Sequence, residues 1–207
     1  MLIYDLEIGK AILSKNTPRL ESIDYCGGWN DYENMGISVV GAYDYATDRY
    51  RVFTDSNKEE FFRLLDSSDV LVGFNNIGFD NKVINACWGN MPEDRCYDIL
   101  KEIWAGVGLG PDFNLDTHYG YNLDDVCLVN FGQHHQKSGN GAMAPVEWQR
   151  GRYGNVIDYC LNDVRLTKHL LDKIISDGYI RHPKNPGTII EVRKPVFHRK
   201  TTSISLN

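Results

Sequence analysis

The stretch DVLVGFNNIGFDNKVINACW, residues 69–88, changes character within a few positions. Residues 69–75 form a compact apolar run that ends in glycine and asparagine, the pattern of a buried strand. Asn75, Asn76 and Gly78 supply turn chemistry. A helix from about Phe79 to Trp88 follows at once. Upstream, NKEEFFRLLDSS (57–68) places Phe61, Leu64 and Leu65 at helical spacing, which predicts a short amphipathic helix. Before it, GISVVGAYDY (36–45) and RYRVFT (49–54) are β-branched and aromatic runs separated by a short turn, which predicts a hairpin. Residues 1–8 read as a strand through Leu2, Ile3, Leu6 and Ile8, although their alternation is too weak to settle which face is buried. Residues 10–35 read as an irregular excursion.

Downstream the pattern is looser. CYDIL (96–100) reads equally as a strand or a helix start, and 111–120 is turn-rich. NLDDVCLVNFG (122–132) carries an Asn N-cap, two early acids and a terminal glycine, so it predicts a helix with both ends marked. Residues 133–145 read as a loop. The last strong element runs from about 155 to 176, with apolar residues recurring at helical spacing. Hairpin, helix, strand and further helices around one core predict an α/β domain with a mixed sheet.

The 207 residues suffice for one sizeable core, and 42% hydrophobic with 24% charged residues excludes disorder along the whole chain. No run approaches the roughly 18 apolar residues of a membrane helix. MLIYDLEIGK carries an acidic pair where a signal peptide would be basic. The five cysteines are odd in number and never spaced as CxxC, which argues against a disulfide framework and against a zinc site. These habits predict a cytoplasmic or nuclear protein, in the host's cytoplasm if the chain is viral, with no membrane partner. Net charge is −6, unevenly spread. Residues 181–207 hold six Lys or Arg against Glu191 alone, a basic tail of +5, and residues 1–180 carry −11. That division suggests either a solvated tail on a soluble body, or carboxylates gathered around cations with a tail that approaches a polyanion.

Three acidic sites fall at the ends of predicted elements. Asp5 and Glu7, at i and i+2 on a strand, project from one face and repel unless a cation or proton offsets them. Asp80 opens the helix after the 75–78 turn, where it complements the helix dipole or serves as a ligand. Tyr159 and Asp163 are i and i+4 on the last helix, so both lie on one face and interrupt an apolar stripe. A carboxylate facing inward there needs a partner. No GxxxxGK[ST] or GxGxxG occurs, which disfavours a nucleotide triphosphatase. His134 and His135 have no third ligand at a known spacing.

Taken in order, D-x-E on the first strand, N-x3-F-D after a later strand and Y-x3-D on a late helix resemble the DEDD superfamily of 3′→5′ exonucleases in its tyrosine-bearing branch. YDLE, GFNNIGFDNKVI and YCLNDVRLTKHLLD carry the resemblance, which spans roughly residues 1–180. The histidine branch would carry His five residues before the last acid, where this chain has Asp158. The resemblance implies a ribonuclease-H-like fold with a mixed sheet of about five strands over 1–180, followed by the basic tail. It implies two Mg²⁺ or Mn²⁺ ions held by Asp5, Glu7, Asp80 and Asp163, with Tyr159 orienting the attacking water. Asn75 and Phe79 would lie near the terminal nucleotide, and Lys137 is a candidate phosphate contact.

The expected activity is metal-dependent hydrolysis from 3′ ends of DNA, single-stranded or frayed, releasing nucleoside monophosphates. An RNA-trimming enzyme with the same site and a non-catalytic nucleic-acid-binding subunit are the rival readings. With no polymerase or helicase region in the sequence, such a replication or repair role would need a partner in trans.

Overall fold

A computed structural model describes residues 1–13, 18–132 and 141–196. Strand β1 (Leu2–Ile8) occupies the centre of a five-stranded sheet. Two short strands, β2 (Ala11–Ile12) and β3 (Tyr25–Cys26), pair with one another, and a single-turn helix α1 (Tyr32–Met35) leads back to the main sheet. The predicted hairpin is β4 (Ile37–Asp44) and β5 (Arg49–Phe53). Helix α2 (Lys58–Ser67), strand β6 (Leu71–Gly73) and helix α3 (Asp80–Cys87) follow. Strand β7 (Cys96–Asp98) runs directly into α4 (Ile99–Gly106), so the ambiguous CYDIL stretch is both things in turn. The remaining helices are α5 (Leu115–His118), α6 (Leu123–Phe131), α7 (Ala144–Gln149) and α8 (Tyr153–Asp177).

The sheet order is β5-β4-β1-β6-β7. β4 is antiparallel to both β1 and β5, whereas β6 and β7 run parallel to β1 and to each other. The mixed sheet of about five strands that the resemblance implies is therefore present. Side chains alternate across β1 and each face is covered. Leu2, Tyr4 and Leu6 join Phe61 and Leu65 of α2 and Val83 and Ile84 of α3 in one core. Ile3 joins α4, α6 and α8 in the other, through Ile103, Val126, Leu170 and Ile174. Because β1 is apolar on both sides, its sequence alternates weakly.

Asp5 and Glu7 lie on the α8 side of the sheet, where Gly41 and Val39 are their register partners. A Cβ at Gly41 would sit 3.0 Å from Cys160 Sγ and 3.3 Å from Val164 Cγ2. The absence of a side chain there lets α8 lie against β1 and β4. Cys160 Sγ accepts from the Gly41 N–H at 3.2 Å and donates to the Asp5 carbonyl at 3.4 Å, pinning the helix across the strand that carries the two acids.

The basic segment corrects one expectation. The tail does not begin at 181: β8 (Tyr179–His182) and β9 (Asn185–Glu191) form an antiparallel hairpin whose Ile180 and Ile190, with Val192 just after it, are buried in the α4–α8 core. Gly106 permits the contact, since a Cβ there would lie 2.4 Å from the Glu191 carbonyl. Two of the segment's cations are tied to the body by their side chains, at its surface. Arg193 forms a bidentate pair with Glu102 (2.6 and 3.1 Å), and Lys184 donates to the Thr117 carbonyl at 3.1 Å. Helix α7 corrects another reading, because 144–149 was expected in part as loop. Among the described residues, no helix is long and apolar enough to cross a membrane.

Candidate active site

Three separated stretches of chain meet at one cleft. β1 supplies Asp5 and Glu7 by strand alternation, and α8 supplies Tyr159 and Asp163 by helical spacing. The turn after β6 supplies Asn75, and the start of α3 supplies Phe79 and Asp80. All seven line a cleft of about 750 Å³, together with Phe74, Trp29 and Pro145. Glu7, Asp80, Tyr159 and Asp163 are buried, and Asp5 is partly exposed. The Tyr159 hydroxyl stands against Gly141, where a Cβ would come within 3.2 Å of it. Lys137, with His134 and His135, lies outside the described residues.

Carboxylate oxygens of Asp5, Glu7 and Asp163 all lie within 4.8 Å of one another. Three carboxylates brought this close repel strongly in a partly desolvated site, and a hard divalent cation with a preference for oxygen is the ligand that offsets this. The donor set therefore fits such an ion. Burial, reinforced by the charges of Asp5 and Glu7, pushes the Cys160 thiol beneath the cluster well above its ordinary pKa. Asp80 lines the same cleft as that trio. Its Oδ1 accepts from the Leu6 N–H at 3.1 Å, between the two acids of β1, which ties the start of α3 to the strand.

The turn that carries Asn75 is fixed from below. Asn75 adopts a left-handed conformation, φ 66°, which asparagine tolerates better than most residues. Its N–H donates to Asp98 Oδ1 at 2.9 Å, and the Ile77 N–H donates to Asp98 Oδ2 at 3.1 Å. The same carboxylate caps α4 by accepting from Leu100 and Lys101. Burial raises the Asp98 carboxyl above its usual pKa, while these four N–H donors pull it down.

On the far side, Asn76 and Asn81 are fully buried. Asn76 Nδ2 donates to the Tyr4 hydroxyl at 2.9 Å, that hydroxyl donates to Asn81 Oδ1, and Asn81 Nδ2 reaches Cys96 Sγ at 3.3 Å. This network anchors the turn and the first residues of α3 to β1. The two adjacent asparagines, equivalent as turn residues in the sequence, thus do different things: Asn75 faces the cleft and Asn76 holds the turn.

Several cleft residues were not singled out from the sequence. Trp29 sits in the segment read as irregular, and Phe74 reads simply as the end of an apolar strand. Asp124 lines the continuation of the cleft beside Asp5, Asn75 and Asp163, although in the sequence it is one of two acids at a helix start, where the dipole explains it.

No family model matches this chain, and no curated protein matches it. Among solved structures, the family B DNA polymerase from the hyperthermophilic archaeon Pyrobaculum calidifontis is similar to 84% of this chain, with a TM-score of 0.56 and 18% sequence identity. The matched region is 24% of that polymerase chain, so this protein spans about a quarter of its length. The likeness is one of fold.

Proposed function

We propose that this chain is a metal-dependent 3′→5′ exonuclease of ribonuclease-H-like fold that removes nucleoside monophosphates from single-stranded or frayed 3′ ends of DNA. The observation that carries the reading is the meeting of Asp5, Glu7 and Asp163 within 4.8 Å, in a cleft that Asp80 and Tyr159 also line. The order in which these residues occur, D-x-E, N-x3-F-D and Y-x3-D, supports it independently. DNA is placed before RNA because the similar solved structure is a DNA polymerase.

Asp5, Glu7 and Asp163 would hold divalent cations, with Asp80 completing the set. Two Mg²⁺ or Mn²⁺ ions would supply an activated water and charge compensation for the leaving oxygen. Asn75 and Phe79 contribute the wall against which the terminal nucleotide is oriented. Tyr159 positions the attacking water through its hydroxyl; a phenol with an ordinary pKa of about 10 is suited to positioning rather than to deprotonation near neutral pH. Lys137 would add a phosphate contact, and a polymerase or helicase acting in trans would supply the substrate end.

The test uses 5′-labelled single-stranded DNA and RNA of one sequence, each with a blocked-3′-end control, incubated with Mg²⁺, Mn²⁺ or EDTA. A metal-dependent ladder that shortens only from free 3′ ends is expected, faster on DNA. A faster RNA ladder would make the chain an RNA-trimming enzyme. Binding without cleavage in either metal would overturn catalysis and leave a binding subunit.

A further inference from the structure

A second groove, of about 780 Å³, opens from the acidic cleft and shares Trp29, Asn75 and Phe79 with it. Its lining is unusual for this surface. Among the described residues, the three most exposed aromatics are Tyr119 (73%), Trp29 (68%) and Phe113 (63%), and all three line this groove. Large aromatic side chains left open to water along one channel mark a binding surface rather than chance exposure.

Two of the rings, Phe113 and Trp29, are supported from behind. Phe113 packs at 6.4 Å from the buried Trp104 and 6.0 Å from His118, and Trp29 packs at 6.0 Å from Phe79. Lys82 and Lys101 stand in the same groove. The acids Glu93 and Asp112 also border it, so the groove is close to neutral within a body that is strongly acidic.

From this we infer that the groove holds the single-stranded nucleic acid upstream of the 3′ terminus, with bases stacked on Phe113 and Tyr119 and the strand led past Trp29 and Phe79 into the cleft. The inference rests on the exonuclease reading and extends it to the path of the strand. Continuity gives the path: Trp29, Asn75 and Phe79 are the residues the two cavities share, so a strand with its 3′ end among the acids can run past them into this groove. Stacking accepts any base, because every base presents a π-face, and it requires bases that are not already stacked in a duplex. The groove therefore confers preference for single strands and for length, without sequence preference.

The experiment measures fluorescence-anisotropy binding in EDTA, so that nothing is cleaved, for 5′-labelled dT3, dT12 and a 12-base-pair duplex. The intact chain is compared with the Phe113→Ala/Tyr119→Ala double variant, with Tyr50→Ala as an exposed-aromatic control away from both cavities. Wild type is expected to bind dT12 at least about tenfold more tightly than dT3, and the double variant is expected to reduce that ratio to about threefold or less. Tyr50→Ala keeps the wild-type ratio. Phe113→Trp with Tyr119→Phe restores it, which a general loss of structure would not. An unchanged ratio in the double variant, or wild-type affinity for the duplex equal to that for dT12, overturns the groove. If wild type still shortens 3′ ends in Mg²⁺, the exonuclease reading survives that result. A wild-type chain that neither binds nor cleaves single strands removes both.

Discussion

The Asp80 carboxylate is also a backbone acceptor, for the Leu6 N–H. Alanine there would remove charge and leave a buried N–H without its acceptor, a cost of about 1–3 kcal/mol that would blur any kinetic result. Asp80→Asn separates the two roles, since the amide oxygen still accepts. Turnover is expected to fall by more than about 100-fold, beyond what disturbing a ligand's supporting hydrogen bond costs. The melting temperature should stay within about 4 °C. Wild-type turnover in that variant would take Asp80 out of the site. Tyr159 lends itself to the same kind of test. Tyr159→Phe keeps the ring and removes the hydroxyl that stands against Gly141. Its kcat should drop by more than about tenfold with KM little changed, whereas an unchanged kcat would reduce Tyr159 to packing.

At the scale of elements, the site depends on how closely α8 approaches the sheet. Gly41 sets that distance, and Gly41→Ala drives a methyl against Cys160 and Val164. Such overpacking costs about 1–3 kcal/mol. Because Cys160 touches Asp5 and lies between Tyr159 and Asp163 in sequence, stability in urea and metal-dependent turnover should fall together. Wild-type values for both would show that the helix position tolerates the methyl.

Much at this scale is legible in the sequence. The apolar run to Gly73, the Asn–Gly turn and the helix after it, the 36–54 hairpin and the periodicity of α8 all follow from local chemistry, and with them the positions of Asp80 and Asp163 on their helices; that Asp5 and Glu7 share one face follows from strand alternation. Other elements are not legible, for physical reasons. The face of β1 is hidden because both faces are buried. The β7–α4 junction is ambiguous because Asp98 ends the strand and caps the helix at once. Helix α7 is only six residues long and begins Ala144-Pro145, too short for a period to show.

At the scale of the molecule, the hairpin of 179–191 belongs to the core. Its cations lie among short apolar runs, and its structural content lies in Ile180, Ile190 and Val192. Each contributes about 1.5–3 kcal/mol of burial. A chain cut after residue 180 should therefore lose cooperative unfolding, measured by its thermal transition against the full chain. An unchanged transition would return the segment to the status of a tail.

The central claim is that the acidic cluster removes nucleotides from a 3′ end. The most direct measurement follows a single strand labelled at its 3′-terminal nucleotide, in Mg²⁺ and in EDTA, with wild type and Glu7→Gln compared at matched fold. Labelled mononucleotide should appear as the first product in Mg²⁺, be absent in EDTA, and form more than about 100-fold more slowly in Glu7→Gln. Label recovered in longer fragments, or equal release by both proteins, would contradict it.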